Sequence, residues 1–160
     1  MTQFEPAVMA LASALRARDW KIATAESCTG GLIAAACTAV AGSSDWFERG
    51  VVSYSNEAKA ELLGVPMALI QTHGAVSAEV ARAMAEGAIA HSHAQLAVAV
   101  TGIAGPGGAT PGKPVGTVWL ALARAGGAGA PAELLTLAGD RAAIREQTVR
   151  HALQRLIENT

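Results

Sequence analysis

The stretch QLAVAVTG, residues 95–102, constrains the fold more than any other part of the chain. From Leu96 to Val100 it is an unbroken apolar run of strand length, so neither of its alternating faces is suited to water. A strand of that kind is covered on both sides, and such strands belong to sheets layered between helices. The rest of the sequence supplies the cover. Phe4, Val8, Leu11 and Leu15 fall on one face of an N-terminal helix. KIATA reads as a buried strand, followed by the helix GGLIAAACTAV with Leu32, Ile33, Ala36 and Val40 turned inward. GVVSYS reads as a second strand, with Val52 and Tyr54 on one face. NEAKAELLG is a short helix with Asn56 as N-cap and Gly64 as its stop.

Pro66 opens a further helical turn, and SAEVARAMAEGAIAH is a helix capped by Ser77, with Glu79 favourably placed at the positive end of its dipole. After the buried strand come a glycine- and proline-rich loop, the strand TVWLALAR, the strand AELLTLA and a last helix capped by Asp140. Helices alternate with strands early, and a hairpin-like pair of strands comes late. The expected fold is α/β, a single compact domain over residues 1–160 in which helices cover a mixed sheet. Hydrophobic residues make up 51% of the chain but aromatics only 4%. The core must therefore come from close packing of small side chains.

The formal net charge is −1 with 16% charged residues, which is not the basic footprint of a nucleic-acid binder. An anionic ligand would have to be met by local groups. The two cysteines, Cys28 and Cys37, have neither metal-ligand spacing nor a disulfide framework, so a reducing cytoplasm is expected and no metal. AVMALASAL has the look of a secretory core, but Glu5 precedes it instead of a basic residue, and an amphipathic helix is the expected reading. AIAHSHAQLAVAVTGIAGPGG is broken by histidines, glycines and proline, so no membrane association is expected.

Two places invite chemistry. In TAESCTGG, residues 24–31, hydroxyl and thiol side chains sit between a strand and a helix. Ser27 is thereby brought beside the free N–H groups of a helix start, with Thr29, Gly30 and Gly31 opening that helix. A capping turn, an anion cradle and the seat of a nucleophile all fit this pattern, and the stretch lacks the glycine two residues before the serine that marks a nucleophile elbow. Lys59 lies in the first turn of its helix, where the dipole disfavours its ammonium. It is either a solvated surface lysine or, if buried, a base for a serine. His73, His91, His93 and His151 fall at helix ends, in a turn or among arginines and make poor partners. The loop from Gly102 to Gly116 is long enough to expect a function.

Taken together, AESCTGG, GVVSYSNEAKAELLGV, GAVS, AVTGIAGPGG, KPVGTVW and GDRAAIR, in this order and spacing, resemble the CinA C-terminal family. The resemblance runs from about Glu5 to the last helix. Stand-alone members of that family are nicotinamide-nucleotide amidases, and many others carry a larger N-terminal domain. The resemblance implies hydrolysis of the carboxamide of nicotinamide mononucleotide, without cofactor or metal. It also matches the family's serine to Ser27, its tyrosine to Tyr54, its lysine to Lys59, its strand-end threonine to Thr101 and its arginine to Arg141.

On that basis Ser27 is the expected nucleophile and Lys59 its base, with Tyr54 orienting one of them through its hydroxyl. Backbone N–H groups around Thr29 and Gly30 would hold the oxyanion. Arg141, assisted by Arg145, would meet the phosphate at the start of the last helix. Gly102, Gly105, Gly107 and Gly108 would let the loop close over the nucleotide, Lys113 would add a charge, and Glu26 would face the cationic ring. The expected partner is a small nucleotide, and a homo-oligomer, a dimer foremost, is expected. The rival readings are a nucleotide-binding or partner-docking module without catalysis, and an amidase for another small amide.

Overall fold

The computed structural model describes residues Met1–Thr160. A 3-10 turn, Thr2–Phe4, leads into α1 (Glu5–Arg18), followed by β1 (Ile22–Glu26), α2 (Leu32–Thr38), β2 (Phe47–Val52), α3 (Asn56–Leu63), α4 (Met67–His73) and α5 (Ala78–Ala90). Then come β3 (Leu96–Gly102), β4 (Thr117–Arg124), β5 (Ala132–Thr136) and α6 (Arg141–Glu158). The five strands form one sheet in the order β2-β1-β3-β4-β5. β1 runs parallel to both β2 and β3, whereas β4 is antiparallel to β3 and to β5. The α/β fold with a mixed, helix-covered sheet is the one the sequence implied.

The alternation within the LAVAV run assigns its two faces. Leu96, Val98 and Val100 join Ile22, Val118 and Leu120 in the core under α1, α2 and α6. Ala97 and Ala99 join Ala23, Ala25, Ala121 and Ala123 in the core under α5. An alanine-rich centre to this sheet face lets a helix approach closely, and α5 answers with small residues of its own. At Gly87 an added Cβ would lie 2.0 Å from the Leu63 carbonyl oxygen, so only glycine admits the end of α3 at that crossing.

Helix ends follow local chemistry. Ser77 and Asp140 cap α5 and α6 by accepting from Val80 and Ala143, and Gly64 stops α3 at a φ of +67°. The cap of α3, however, is Ser55, which accepts from the Ala58 amide, and the expected cap Asn56 is the first helical residue. The second strand also lies earlier than expected. It pairs Glu26 with Val52 and ends there, so Tyr54 is outside the sheet and does not share a strand face with Val52.

β1 is flanked by β2 on one side and β3 on the other, and the crossovers from β1 to β2 through α2 and from β2 to β3 through α3–α5 cover opposite faces of the sheet. The carboxyl ends of these three parallel strands therefore open a crevice of the kind in which α/β proteins bind ligands. Ser27 directly follows β1, Ser53 and Tyr54 directly follow β2, and Thr101 is near the end of β3.

Candidate active site

Ser27 stands at the first residue of a tight turn. Its amide donates to Val100 on the neighbouring strand, and its carbonyl accepts from Gly30. Gly30 and Gly31, at φ of +60° and +99°, carry the chain round into α2 in a conformation that other residues rarely adopt. Glu26 fixes the turn from behind. It is 1% exposed, and its Oε1 accepts from the Thr29 hydroxyl at 2.6 Å and the Ile33 amide at 2.9 Å, while Oε2 accepts from the Ala34 amide at 2.9 Å. A buried carboxylate is thus satisfied by the open end of a helix. Glu26 does not face a ligand, because both of its oxygens are spent on this turn.

Lys59 rises from α3 into the same crevice and is 1% exposed. Its Nζ lies 3.0 Å from Ser27 Oγ, 2.9 Å from the Ser53 carbonyl oxygen and 3.2 Å from that of Tyr54. No carboxylate pairs with it. Burial therefore lowers its pKa below the ordinary lysine value of 10.5. A neutral amine has two N–H groups and one lone pair. In that form the two carbonyls would take the N–H groups and the lone pair would face Ser27 Oγ, whereas the ammonium would donate to all three oxygens.

Cys28, next in sequence, is the competing nucleophile. Its side chain packs in the apolar core, and burial pushes the thiol up to about 11, so it is protonated at neutral pH. Burial raises Cys37 similarly, to about 12.

A cavity of about 220 Å³ opens in front of Ser27 and Lys59. Thr101 and Gly102 border it at the end of β3, Ala75 and Val76 form an apolar wall, and Tyr54 and Arg141 stand at its rim. The wall is tied down by three neighbouring carbonyls. His73 accepts from Lys113 Nζ, Gly74 from the Ser77 hydroxyl and Ala75 from the Thr101 hydroxyl. Lys113 is therefore a strap on the C-terminus of α4 and not an extra charge for a phosphate.

Beyond the rim a second cavity of about 530 Å³ is bordered by Pro106, Asp140, Arg141 and Arg145 at the start of α6. Arg141 borders both. Its Nη1 donates to the Gly105 carbonyl and its Nη2 to the Tyr54 hydroxyl, while Arg145 Nη2 donates to the Thr29 carbonyl. Neither arginine has a carboxylate partner.

The structure thus gathers Ser27, Lys59, Tyr54, Thr101, Gly102 and Arg141 around one cavity, and it revises several individual expectations. Tyr54 is 60% exposed and its hydroxyl accepts from Arg141. Only its backbone carbonyl reaches Lys59. Thr29 is fully buried with its hydroxyl on Glu26, and the Gly30 amide closes the turn, so both shape the loop and do not line the cavity. Gly31 is likewise the residue that opens α2. Gly102 is locked in the sheet, where a Cβ would lie 2.6 Å from Val118, and Gly105 serves through its carbonyl, so neither acts as a hinge. Asn56, Ala104 and the Ala75–Val76 wall also border the cavity and were missed by reading residue types. The quoted GAVS motif was the available signal for the wall. No group of three or more His, Cys, Asp or Glu side chains is arranged to hold a metal ion, and no helix is long and apolar enough to cross a membrane.

Comparison with known proteins identifies the family. The model of the CinA C-terminal domain matches residues 5–160. The chain belongs to the CinA C-terminal domain family. Among CinA relatives, it is 52% identical over 143 residues to the nicotinamide-nucleotide amidohydrolase PncC of Escherichia coli K12, covering 89% of this chain and 86% of that protein. It is 53% identical over 144 residues to a CinA-like protein of Akkermansia muciniphila, covering 90% of this chain but only 34% of that longer protein. The crystal structure of competence/damage inducible protein CihA from Agrobacterium tumefaciens superimposes with a TM-score of 0.93 at 45% identity, covering 97% of this chain and 94% of that one. A Klebsiella pneumoniae competence damage-inducible protein A gives 0.91 at 40% identity.

Proposed function

We propose that this chain hydrolyses the carboxamide of nicotinamide mononucleotide to nicotinate mononucleotide and ammonia, with Ser27 as nucleophile and Lys59 as its base. The observation that carries the chemistry is the 3.0 Å approach of Lys59 Nζ to Ser27 Oγ, by a lysine with no carboxylate partner. The substrate follows the likeness to a protein named for that activity.

Lys59 takes the hydroxyl proton as Ser27 Oγ bonds to the amide carbon. The C–N bond then breaks, the proton leaves with ammonia, and water releases the acyl group from Ser27 by the same route in reverse. The oxyanion is held by the Cys28 amide. Of the turn amides with no acceptor in the chain, it is the one whose residue borders the cavity beside Ser27. The apolar wall at Ala75 and Val76 receives the ring. The phosphate extends past Tyr54 to Arg141 and Arg145, where two unpaired guanidiniums and the first amides of α6 converge.

A binding module would not need a buried lysine on a serine, and this distinguishes it from the amidase. Ammonia release from nicotinamide mononucleotide, measured with and without a chelator, tests the reading. Release that survives chelation is expected. Its absence in both conditions would contradict the reading, and loss on chelation would contradict the serine–lysine route.

A further inference from the structure

The ionisable groups bordering the first cavity are all basic, apart from the Tyr54 hydroxyl and the Cys28 thiol. Arg141 stands at the rim of the first and borders the second with Arg145, and Lys59 lies at the floor. No Asp or Glu borders the first cavity. The carboxylate nearest in sequence to the nucleophile, Glu26, spends both oxygens on Thr29 and the start of α2. Asp140, at the second cavity, caps the Ala143 amide. A ring lying against Ala75 and Val76 therefore meets apolar surface on that side and the Arg141 guanidinium at the rim, and no carboxylate there rewards a positive ring nitrogen. The adjoining guanidinium disfavours one.

Besides the neutral dipoles of Asn56 and Thr101, the group able to sense a ring charge is the face of Tyr54, which is exposed at the rim. A contact of that kind contributes about five-fold at most, and it stacks neutral rings as well.

We propose that the cavity leaves the charge of the ring unread and takes aromatic carboxamide nucleoside monophosphates as a class, neutral rings included. This rests on the amidase reading above. It assigns recognition to the carboxamide at one end and the phosphate at the other, with the ring serving as a flat apolar spacer.

The test is calorimetric binding to the Ser27→Ala variant of two ligands. One is nicotinamide mononucleotide and the other is 3-carbamoylphenyl riboside 5′-monophosphate, in which a ring carbon replaces the charged nitrogen. The expected dissociation constant of the neutral analogue is within about five-fold of that of the cationic nucleotide, or tighter. Binding weaker than that overturns the proposal. If Ser27→Ala does not fold, the same ratio is read from the wild-type enzyme as competitive inhibition of ammonia release. Failure of the neutral analogue alone, with ammonia release from nicotinamide mononucleotide intact, overturns this inference and leaves the amidase reading standing. Failure of nicotinamide mononucleotide itself overturns both.

Discussion

Ser27 Oγ and Lys59 Nζ meet at 3.0 Å although 32 residues separate them, one following a central strand and the other rising from a helix on the opposite layer. The lysine is buried, without a carboxylate, and held by the Ser53 and Tyr54 carbonyls. Such a site makes its amine a weaker base than in water and, on the proposed mechanism, leaves its lone pair for the serine proton.

That arrangement sets a pH dependence. Burial disfavours the ammonium, so the Lys59 pKa is lowered from 10.5 and the neutral form grows as pH rises through the lowered value. kcat/KM for nicotinamide mononucleotide should therefore rise with pH and level off below 10.5. Lys59→Arg, which keeps a charge but cannot lose it, should remove at least about a hundred-fold of activity. An active arginine variant with an unchanged pH profile would take Lys59 out of proton transfer.

Tyr54→Phe should be mild. The hydroxyl it removes accepts from Arg141 at an exposed rim and touches neither Ser27 nor Lys59. Losing one such bond costs about 0.5–1.5 kcal/mol, or about two- to ten-fold in kcat/KM, with the pH profile unmoved. A loss beyond about a hundred-fold, or a shifted profile, would return the hydroxyl to the proton-transfer step.

Glu26→Gln should cost stability. Gln retains one acceptor oxygen but turns an NH₂ group toward donors that Glu26 now satisfies. The expected loss is about 1.5–3 kcal/mol in urea unfolding. A variant as stable as wild type would mean that the start of α2 is held by something else.

What could be read from the sequence follows the range of the interactions concerned. The Leu96–Val100 run, the Ser77 and Asp140 caps and the Gly64 stop depend on neighbours a few residues away, and each is found as expected. Ser55 and Asn56 are both capping types one residue apart, and residue type alone does not choose between them. The end of β2 at Val52 is set by pairing with Glu26 across the sheet, which no local pattern encodes. Helix position made Lys59 a candidate base for a serine, but neither spacing nor propensity chose that over a solvated lysine; the family resemblance made the choice. The Glu26 carboxylate was legible as an acid at a strand end, but its destination depends on where the axis of α2 points.

The arginines should separate by substrate. Arg141→Ala removes a charge-assisted contact expected for the phosphate, a loss of about 1.5–3 kcal/mol or roughly ten- to a hundred-fold in kcat/KM for the nucleotide. The phosphate-free nucleoside should barely change. Arg145→Ala also releases the Thr29 carbonyl in the Ser27 turn, so it should slow both substrates. Equal losses for Arg141→Ala on both substrates would place the phosphate elsewhere.

The most direct test compares ammonia release from nicotinamide mononucleotide by wild type, Ser27→Ala and Cys28→Ala. The Cys28 thiol is buried, protonated and packed in the core, whereas Ser27 faces the Lys59 amine. Ser27→Ala should remain folded and lose at least about a thousand-fold in kcat. Cys28→Ala should keep most of its turnover, provided the protein remains folded. An active Ser27→Ala beside a folded but inactive Cys28→Ala would contradict the assignment of the nucleophile.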